Sequence, residues 1–592
     1  MHSIDWFIVV AYLLFTLAFG LYLSKRAFSS VVDFFSGGRS LSWWLAGTSM
    51  AATTFSVDTP LYIAGIVGNR GVAGNWEWWS FGFAHIVMTY LFARLWRRSK
   101  IVTDAELSEI RYGGRSAATL RSVKAFLFAV PLNCLGVGYA MLAMTKLMLG
   151  LQIWQGLGFD PAAHDFKLWS VLSVAVLALL YAGITSLWNV VSTDFFQFFI
   201  ALLGSVIVAI ASTNAAGGIR ALVDQLSQVN PASLSFIPLD GGISWSALAG
   251  LPSSAFLAYV LLQWWSFRRS DGGGEFAQRL GAARSEVEAE KAAWFFNGLH
   301  YVVRTWPWII SALAALVLYP DLTDKELGYP LLIADTLPPI VLGLVVTSLI
   351  AAFLSTVSTL VNWGATYLTV DIYSRFISLN ATSGELIFMG RLASLLIIAG
   401  GGWVALTAQS IGELFRLAIA LGTGPGLVLI LRWFWWRINA ASELAAIVSG
   451  VVIGFLTSGV PGFVILDFGT RLLVITLATT FVWVGVLLVT APESDETLDA
   501  FYAKLRPGGP GWALQRQRTK LRPLQNLWLE GQRIVAAVLL LFGAMFSVGG
   551  FLLMRSLSGW SYLVIAVGGG YWLRQLNKQP TFPVSRPGTE DG

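Results

Sequence analysis

About fifteen apolar runs of roughly 18 residues or more constrain this chain more than any other feature. They are centred near Ala11, Ser56, His85, Gly136, Ala178, Leu203, Tyr259, Arg304, Leu354, Leu395, Gly422, Ile453, Ala478, Phe542 and Val564. A bilayer interior offers no water to backbone polar groups, so runs of this length fold as helices whose hydrogen bonds close internally. The residues are 56% hydrophobic and 12% charged, which overrides the several soluble domains that 592 residues would otherwise suggest. The sequence predicts an all-α integral membrane protein.

One cysteine, Cys134, excludes an internal disulfide framework, and His2, His85, His164 and His300 are too scattered to form a ligand cluster. No structural metal and no organic cofactor is expected. A net charge of +6 would suggest nucleic acid for a soluble chain, but here the basic residues fall in alternate loops and read as topology. They are Lys25, Arg26 and Arg39; Arg97, Arg98 and Lys100; Arg268, Arg269, Arg279 and Arg284; Arg375; Arg437; and Lys504 to Arg522. If each run crosses once, these loops share one side, which the positive-inside rule makes cytoplasmic. The N-terminus is then outside and the C-terminus inside a multi-pass protein of the cell's inner (plasma) membrane, with the lipid bilayer rather than nucleic acid as partner. No charged region precedes the first run and no small-residue cleavage site follows it, so it reads as a retained span.

Polar side chains inside these runs are the functional candidates, because lipid does not tolerate them unless they face protein, water or ions. In the second run, "SMAATTFSVDTPLYIAG" brings Thr53, Thr54, Ser56, Asp58 and Thr59 before Pro60. Proline removes a donor and disfavours helical geometry at Thr59, which predicts a break in mid-membrane. A break exposes carbonyls and a half-helix end that suit a cation and a polar solute; a kink whose hydroxyls only re-satisfy the backbone is the alternative, and it does not need Asp58.

"FLSTVSTL" sets Ser355, Thr356, Ser358 and Thr359 within five positions of about forty mostly apolar residues. Ser355, Ser358 and Thr359 share a helical face with Thr356 at its edge, a set of hard oxygens suited to Na⁺. Back-bonding to carbonyls one turn earlier, or close helix packing, are the alternatives. Asn297, His300 and Arg304 share a face of the eighth run. Arg304 requires a partner there: an anionic group on a solute, or a structural pair with Asp58, Glu77 or Asp194. "GTGPG", Gly422 to Gly426, follows no strand and reads as helix packing rather than phosphate binding.

"DFFSGGRSLSWWLAGTSMAATTFSVDTP", "TDAELSEIRYG", "YAGITSLWNVVSTDFFQ" and "IAAFLSTVSTLVNWGATYLTVDIY" occur in that order between Asp33 and Tyr373. Together they resemble the sodium/solute symporter family, and the hydropathy pattern extends the likeness to about Pro492. "QWWSFRRSDGGGEFAQRL" and "HYVVRTWPW" resemble a bacterial branch of it. The resemblance implies a LeuT-type fold of two inverted five-helix repeats, with one extra span before them and several after. The expected segments are an extra span at 1–30, repeats at 41–213 and 246–437, two spans at 438–490, a cytoplasmic linker at 491–530 with room for a short surface helix, a span pair at 531–575 and a tail at 576–592. A second broken helix is expected where the seventh run enters "RRSDGGGE".

The resemblance further implies a main Na⁺ site of Ala52, Phe55 and Ala352 carbonyls with Ser355 and Thr356 hydroxyls. A second Na⁺ would take Asp194, Ser355, Ser358 and Thr359. The substrate-binding candidates are Thr54, Asp58, Thr59, Asn297 and Arg304. Sugar-carrying members have longer amides or a glutamate at the first three of these places and a lysine about where Asn297 falls. That departure points away from a simple glucose or galactose carrier, and Arg304 suits a carboxylate. The implied function is Na⁺-coupled symport of a small polar solute (sugar, sugar acid or amino acid) by alternating access, with a transporter-like solute sensor as the alternative. No nucleophile and base constellation suggests an enzyme.

Overall fold

The computed structural model describes residues 1–24, 39–182, 187–238, 247–248 and 251–579. Lys25, Arg26, the start of the first quoted block, residues 183–186 of the third, residue 246 and the tail beyond 579 lie outside the described residues. Helix α1 is Ser3–Ser24, and the second run forms α2 (Trp43–Thr53) and α3 (Asp58–Arg70). Then follow α4 (residues 81–99, with a π-helical turn at Met88–Phe92), α5 (Gly114–Ala129), α6 (Pro131–Gly150), α7 (Phe166–Ala182) and α8 (Leu187–Ala215). The second half runs α9 (Ala255–Ser266), α10 (Glu275–Ala282), α11 (Glu286–Leu318), α12 (Val341–Ile377) and α13 (Ser383–Thr407). It closes with α14 (Ile411–Gly422), α15 (Gly426–Phe434), α16 (Ala440–Gly459), α17 (Phe468–Val489), α18 (Asp495–Leu505), α19 (Ala513–Thr519), α20 (Leu527–Leu552) and α21 (Ser556–Asn577).

Each expected centre lies within a helical segment or, for Ser56, in the break between α2 and α3. Among the described residues, eight helices are long and apolar enough to cross a membrane, or nine if α2 and α3 count as one span. Helix α12 lies at the heart of the bundle, with 89% of its apolar window buried against neighbours that include α2, α6 and α8.

Among the described residues three of the runs are broken rather than continuous, and local chemistry explains each. Helices α2 and α3 meet at 56°. Pro60 sits in the first turn of α3, where its missing N–H costs no intrahelical bond, so the break falls at residues 54–57, ahead of the proline. The seventh run breaks at residues 267–274, where Gly272 and Gly274 adopt φ of +75° and +76°, before resuming as α10. The eleventh run, expected as one packed helix, also breaks. The Arg268 N–H donates to Gly422 O at 2.8 Å and the Gly424 N–H to Ser266 O at 2.8 Å, a short bridge between the two breaks. A Cβ at Gly426 would lie 2.2 Å from Trp265 O, so only glycine permits this approach.

The sequence placed Arg268, Arg269 and Arg279 in a basic loop with Arg284. That is corrected here: Arg268 and Arg279 are 7% and 1% exposed, inside the bundle, and only Arg284 stays with the basic end, donating to Ser40 O at 2.8 Å. The 491–530 segment is more than a linker with one surface helix. Trp512 is fully buried and donates to Trp433 O at 2.9 Å, while the Arg111 guanidinium lies 5.2 Å and 5.1 Å from the Phe501 and Trp512 rings. Glu493 accepts from the backbone N–H groups of Gly113 and Ala440. Beyond it, α20 and α21 pack on each other, and α20 packs on α4 and α11 through Phe542 and the Trp306 bond to Met545 O at 2.9 Å.

Candidate ion and solute site

Ending α2 at Thr53 frees carbonyls that the next turn would otherwise have engaged. Two side chains reach them. The Thr356 hydroxyl of α12 lies 3.2 Å from Thr53 O and 3.4 Å from Phe55 O. The Arg304 guanidinium of α11 donates to Ala51 O and Thr54 O, each at 2.7 Å, and to Thr54 Oγ1 at 3.0 Å. Arg304 also touches His300 Nδ1, and it lies 5.6 Å and 5.3 Å from the Phe55 and Trp308 ring centres. Its partners are backbone carbonyls at a helix C-terminus, favourable for a cation. No ion pair joins it to Asp58, Glu77 or Asp194 among the described residues.

Ala52, Phe55, Ala352, Ser355 and Thr356 are all within 3% of full burial where α12 crosses the break. Ser355 turns its hydroxyl away from the break and donates to Asp194 Oδ1 at 2.6 Å, while Ser49 donates to Asp194 Oδ2 at 2.6 Å. Ser358 bonds back to Ser355 O at 3.1 Å. Thr359 accepts from Arg279 Nη2 at 2.9 Å, and Arg279 Nε points to Ser49 Oγ at 3.4 Å. Thus Asp194 and Ser355 come together with Ser49, Ser358 is turned to its own helix, and Thr359 is held by a buried guanidinium. Ser49 and Arg279 were not singled out in the sequence; Arg279 was hidden by its likeness to loop residues.

A cavity of about 190 Å³ adjoins the break. Thr54, Asp58, Thr59 and Arg304 line it, with Thr356 on the α12 wall. Asn297 does not: its amide donates to Thr89 Oγ1 at 3.2 Å, His85 O at 3.3 Å and Ala293 O at 2.9 Å, facing α4 and its own helix. The π-helical turn Gly298–Val303 brings His300 and Tyr301 to the cavity, and Tyr301 OH lies 2.9 Å from His85 Nδ1. The broken seventh run contributes Trp264, Phe267, Arg268, Arg269 and Glu275. Arg269 pairs with Glu275 at 2.5 Å. Tyr62 and Phe415, both on the cavity wall, have ring centres 4.7 Å apart with their planes tilted by 50°, and buried Glu77 pairs with Arg70 at 2.6 Å and Arg416 at 3.2 Å. Hydroxyl and carbonyl oxygens and an aromatic, charged cavity thus share one broken helix.

The sodium:solute symporter family model matches residues 34–261 and 300–450. A sodium/glucose cotransporter of Vibrio parahaemolyticus is 25% identical over 522 residues, covering 83% of this chain and 92% of its own length. Sodium/glucose cotransporter 1 of Oryctolagus cuniculus is 24% identical over 501 residues, with 76% and 71% covered. A solved structure of a Na⁺-coupled sialic acid symporter, substrate-bound and outward-open, superposes with a TM-score of 0.67 at 20% identity, covering 83% of this chain and 99% of that one.

Proposed function

This chain belongs to the sodium:solute symporter family, and from that premise we propose that it couples Na⁺ entry to import of a small polar organic solute by alternating access. The carrying observation is the Thr356 hydroxyl, set between α12 and the carbonyls of Thr53 and Phe55 at the rim of the cavity. A cation held by the carbonyls of Ala52, Phe55 and Ala352 and the hydroxyl of Thr356, with the Ser355 hydroxyl turned from Asp194 to join them, ties α12 to the C-terminal end of α2 and to the break beyond it. It thereby favours the arrangement in which the wall formed by Thr54, Asp58 and Thr59 is complete. Ion and solute then raise each other's affinity by the same factor, as linkage requires, and the Na⁺ gradient drives the cycle. Asp194 with Ser355 forms a second position where a cation is stabilised, next to Arg279.

The relatives support this reading: two are named as sodium/glucose cotransporters and the solved structure as a Na⁺-coupled sialic acid symporter. The test is uptake of radiolabelled sugars, sugar acids and amino acids into proteoliposomes, with and without an inward Na⁺ gradient. Accumulation only with the gradient is expected. Binding without uptake would replace symport by solute sensing, and flux indifferent to Na⁺ would make the protein a uniporter.

A further inference from the structure

Arg268 stands at the break between α9 and α10 with 7% of its surface exposed, and it lines the cavity. Its guanidinium lies against three aromatic rings, those of Phe128, Phe267 and Trp363, at 5.0 Å, 5.7 Å and 5.7 Å from their centres. Among the described residues it forms no ion pair, and its Nε has no hydrogen-bond partner. The neighbouring carboxylate, Glu275, is engaged by Arg269 instead. Ring faces hold a guanidinium but do not neutralise it, and a buried, unpaired charge within a membrane protein is costly unless an anion meets it. Asp58 lines the same cavity, and its Oδ1 is buried and accepts no hydrogen bond. Arg304, the cation that the sequence offered for an anionic solute, is already committed to the carbonyls of Ala51 and Thr54.

We propose that the solute is a small organic acid whose carboxylate is bound by Arg268 and whose hydroxyl or ammonium group donates to Asp58. This rests on the symport reading and names the substrate class of that site. A carboxylate on Arg268 makes charge-assisted bonds that complete the guanidinium, and a donor on Asp58 completes the carboxylate. The solute therefore brings to the cavity the two partners that the protein withholds. Planar, forked donors explain why arginine rather than lysine serves here.

The test uses the full chain in detergent and in proteoliposomes with probes paired by the presence of a carboxylate: D-glucuronate with D-glucose, D-galacturonate with D-galactose, and L-serine with L-serinamide. In at least one pair the acid is expected to bind and be taken up while its partner is not. Arg268→Gln should weaken that acid by roughly 10- to 150-fold, the range for hydrogen bonds to a charged group, and Arg268→Lys by less. Asp58→Asn should weaken L-serine more than a uronate if the donor is an ammonium group, and both alike if it is a hydroxyl. The proposal is overturned if a partner lacking the carboxylate binds as tightly as its acid, or if none of the acids binds. It is equally overturned if Arg268→Gln, shown to be folded by an intact melting transition, binds the acid like wild type, or if Asp58→Asn weakens neither donor type. Should Arg268→Gln not fold, the wild-type pairs and Arg268→Lys still decide. Uptake of an acid that ignores the Na⁺ gradient would sink the symport reading and leave the substrate class standing; Na⁺-driven uptake of glucose alone would do the reverse.

Discussion

The Oγ1 of Thr356 lies 3.4 Å from the carbonyl oxygen of Phe55, joining the most buried of the described membrane-length helices to the break in the second membrane segment. The same hydroxyl is 3.2 Å from Thr53 O, so one side chain addresses two carbonyls released by one interrupted helix. Its neighbour Ser355 shares neither contact and faces Asp194. Adjacent hydroxyls therefore have separable consequences.

Thr356→Ala should raise the Na⁺ concentration for half-maximal uptake by about tenfold or more, because a hard oxygen is removed from the break while the helix keeps its backbone bonds. Thr356→Ser, which keeps the oxygen, should retain most of the affinity. Sodium activation curves in proteoliposomes decide it, and an unchanged curve for Thr356→Ala would remove this residue from the ion site.

Asp194 accepts from Ser355 and Ser49, and the Ser49 hydroxyl in turn meets Arg279. Removing one member of a buried charged network leaves the other uncompensated. Asp194→Asn and Arg279→Gln should each lower the melting temperature, whereas the double variant should lose less than the sum, with a coupling of about 1–3 kcal/mol. Strict additivity in thermal melts would show that the two charges do not interact. Sodium-to-solute stoichiometry measured on Asp194→Asn should also fall if this position carries a second ion.

Pro60 announced the first break, and the crowding of Ser355, Thr356, Ser358 and Thr359 announced the helix that crosses it, because polar atoms in an apolar run are conspicuous in one dimension. Depth in the membrane is not. Arg268, Arg269 and Arg279 follow an apolar run and adjoin Ser270, Asp271 and three glycines, the composition of a surface loop. A segment unwound inside the helix bundle needs the same residues to satisfy its backbone, and only tertiary contacts such as the Arg268 N–H bond to Gly422 O tell the two apart. Asn297 and Arg304 were read as sharing one helical face, but the π-helical turn between them separates their surroundings: one faces α4, the other the break. The Trp512 clasp was illegible because its partners, Trp433 and Arg111, are remote in sequence.

Trp512 fills a fully buried place at the basic end and bonds Trp433 O. Trp512→Ala should cost about 3–5 kcal/mol of stability, as for other buried large aromatic residues. Melting of the purified protein measures it, and a loss below about 1 kcal/mol would mean that the segment docks only loosely.

The expected orientation puts the loop before α7 outside and the loop before α13 inside. Cys134 is the chain's one cysteine and is buried, so Cys134→Ala gives a clean background for labelling. In whole cells a membrane-impermeant maleimide should label Ala163→Cys at once and Ser383→Cys only after permeabilisation; both positions are exposed. The opposite pattern would invert the topology.

Arg304 and Arg268 both face the cavity, and their partners predict opposite phenotypes. Arg304 grips the carbonyls of Ala51 and Thr54, which alternate with the Ala52 and Phe55 carbonyls offered to the ion. Its removal should loosen the C-terminal turn of α2, so Arg304→Gln is expected to weaken Na⁺ activation and lower thermal stability. The preference for acids over their uncharged partners should survive, because the group that meets the carboxylate is elsewhere. Arg304→Lys keeps the charge at the helix C-terminus but cannot reach two carbonyls with one rigid fork, so it should rescue stability only in part. The measurements are melting temperature, Na⁺ activation and the glucuronate-to-glucose binding ratio, made on both arginine variants. If Arg304→Gln abolishes that ratio while leaving Na⁺ activation intact, Arg304 rather than Arg268 reads the solute's charge.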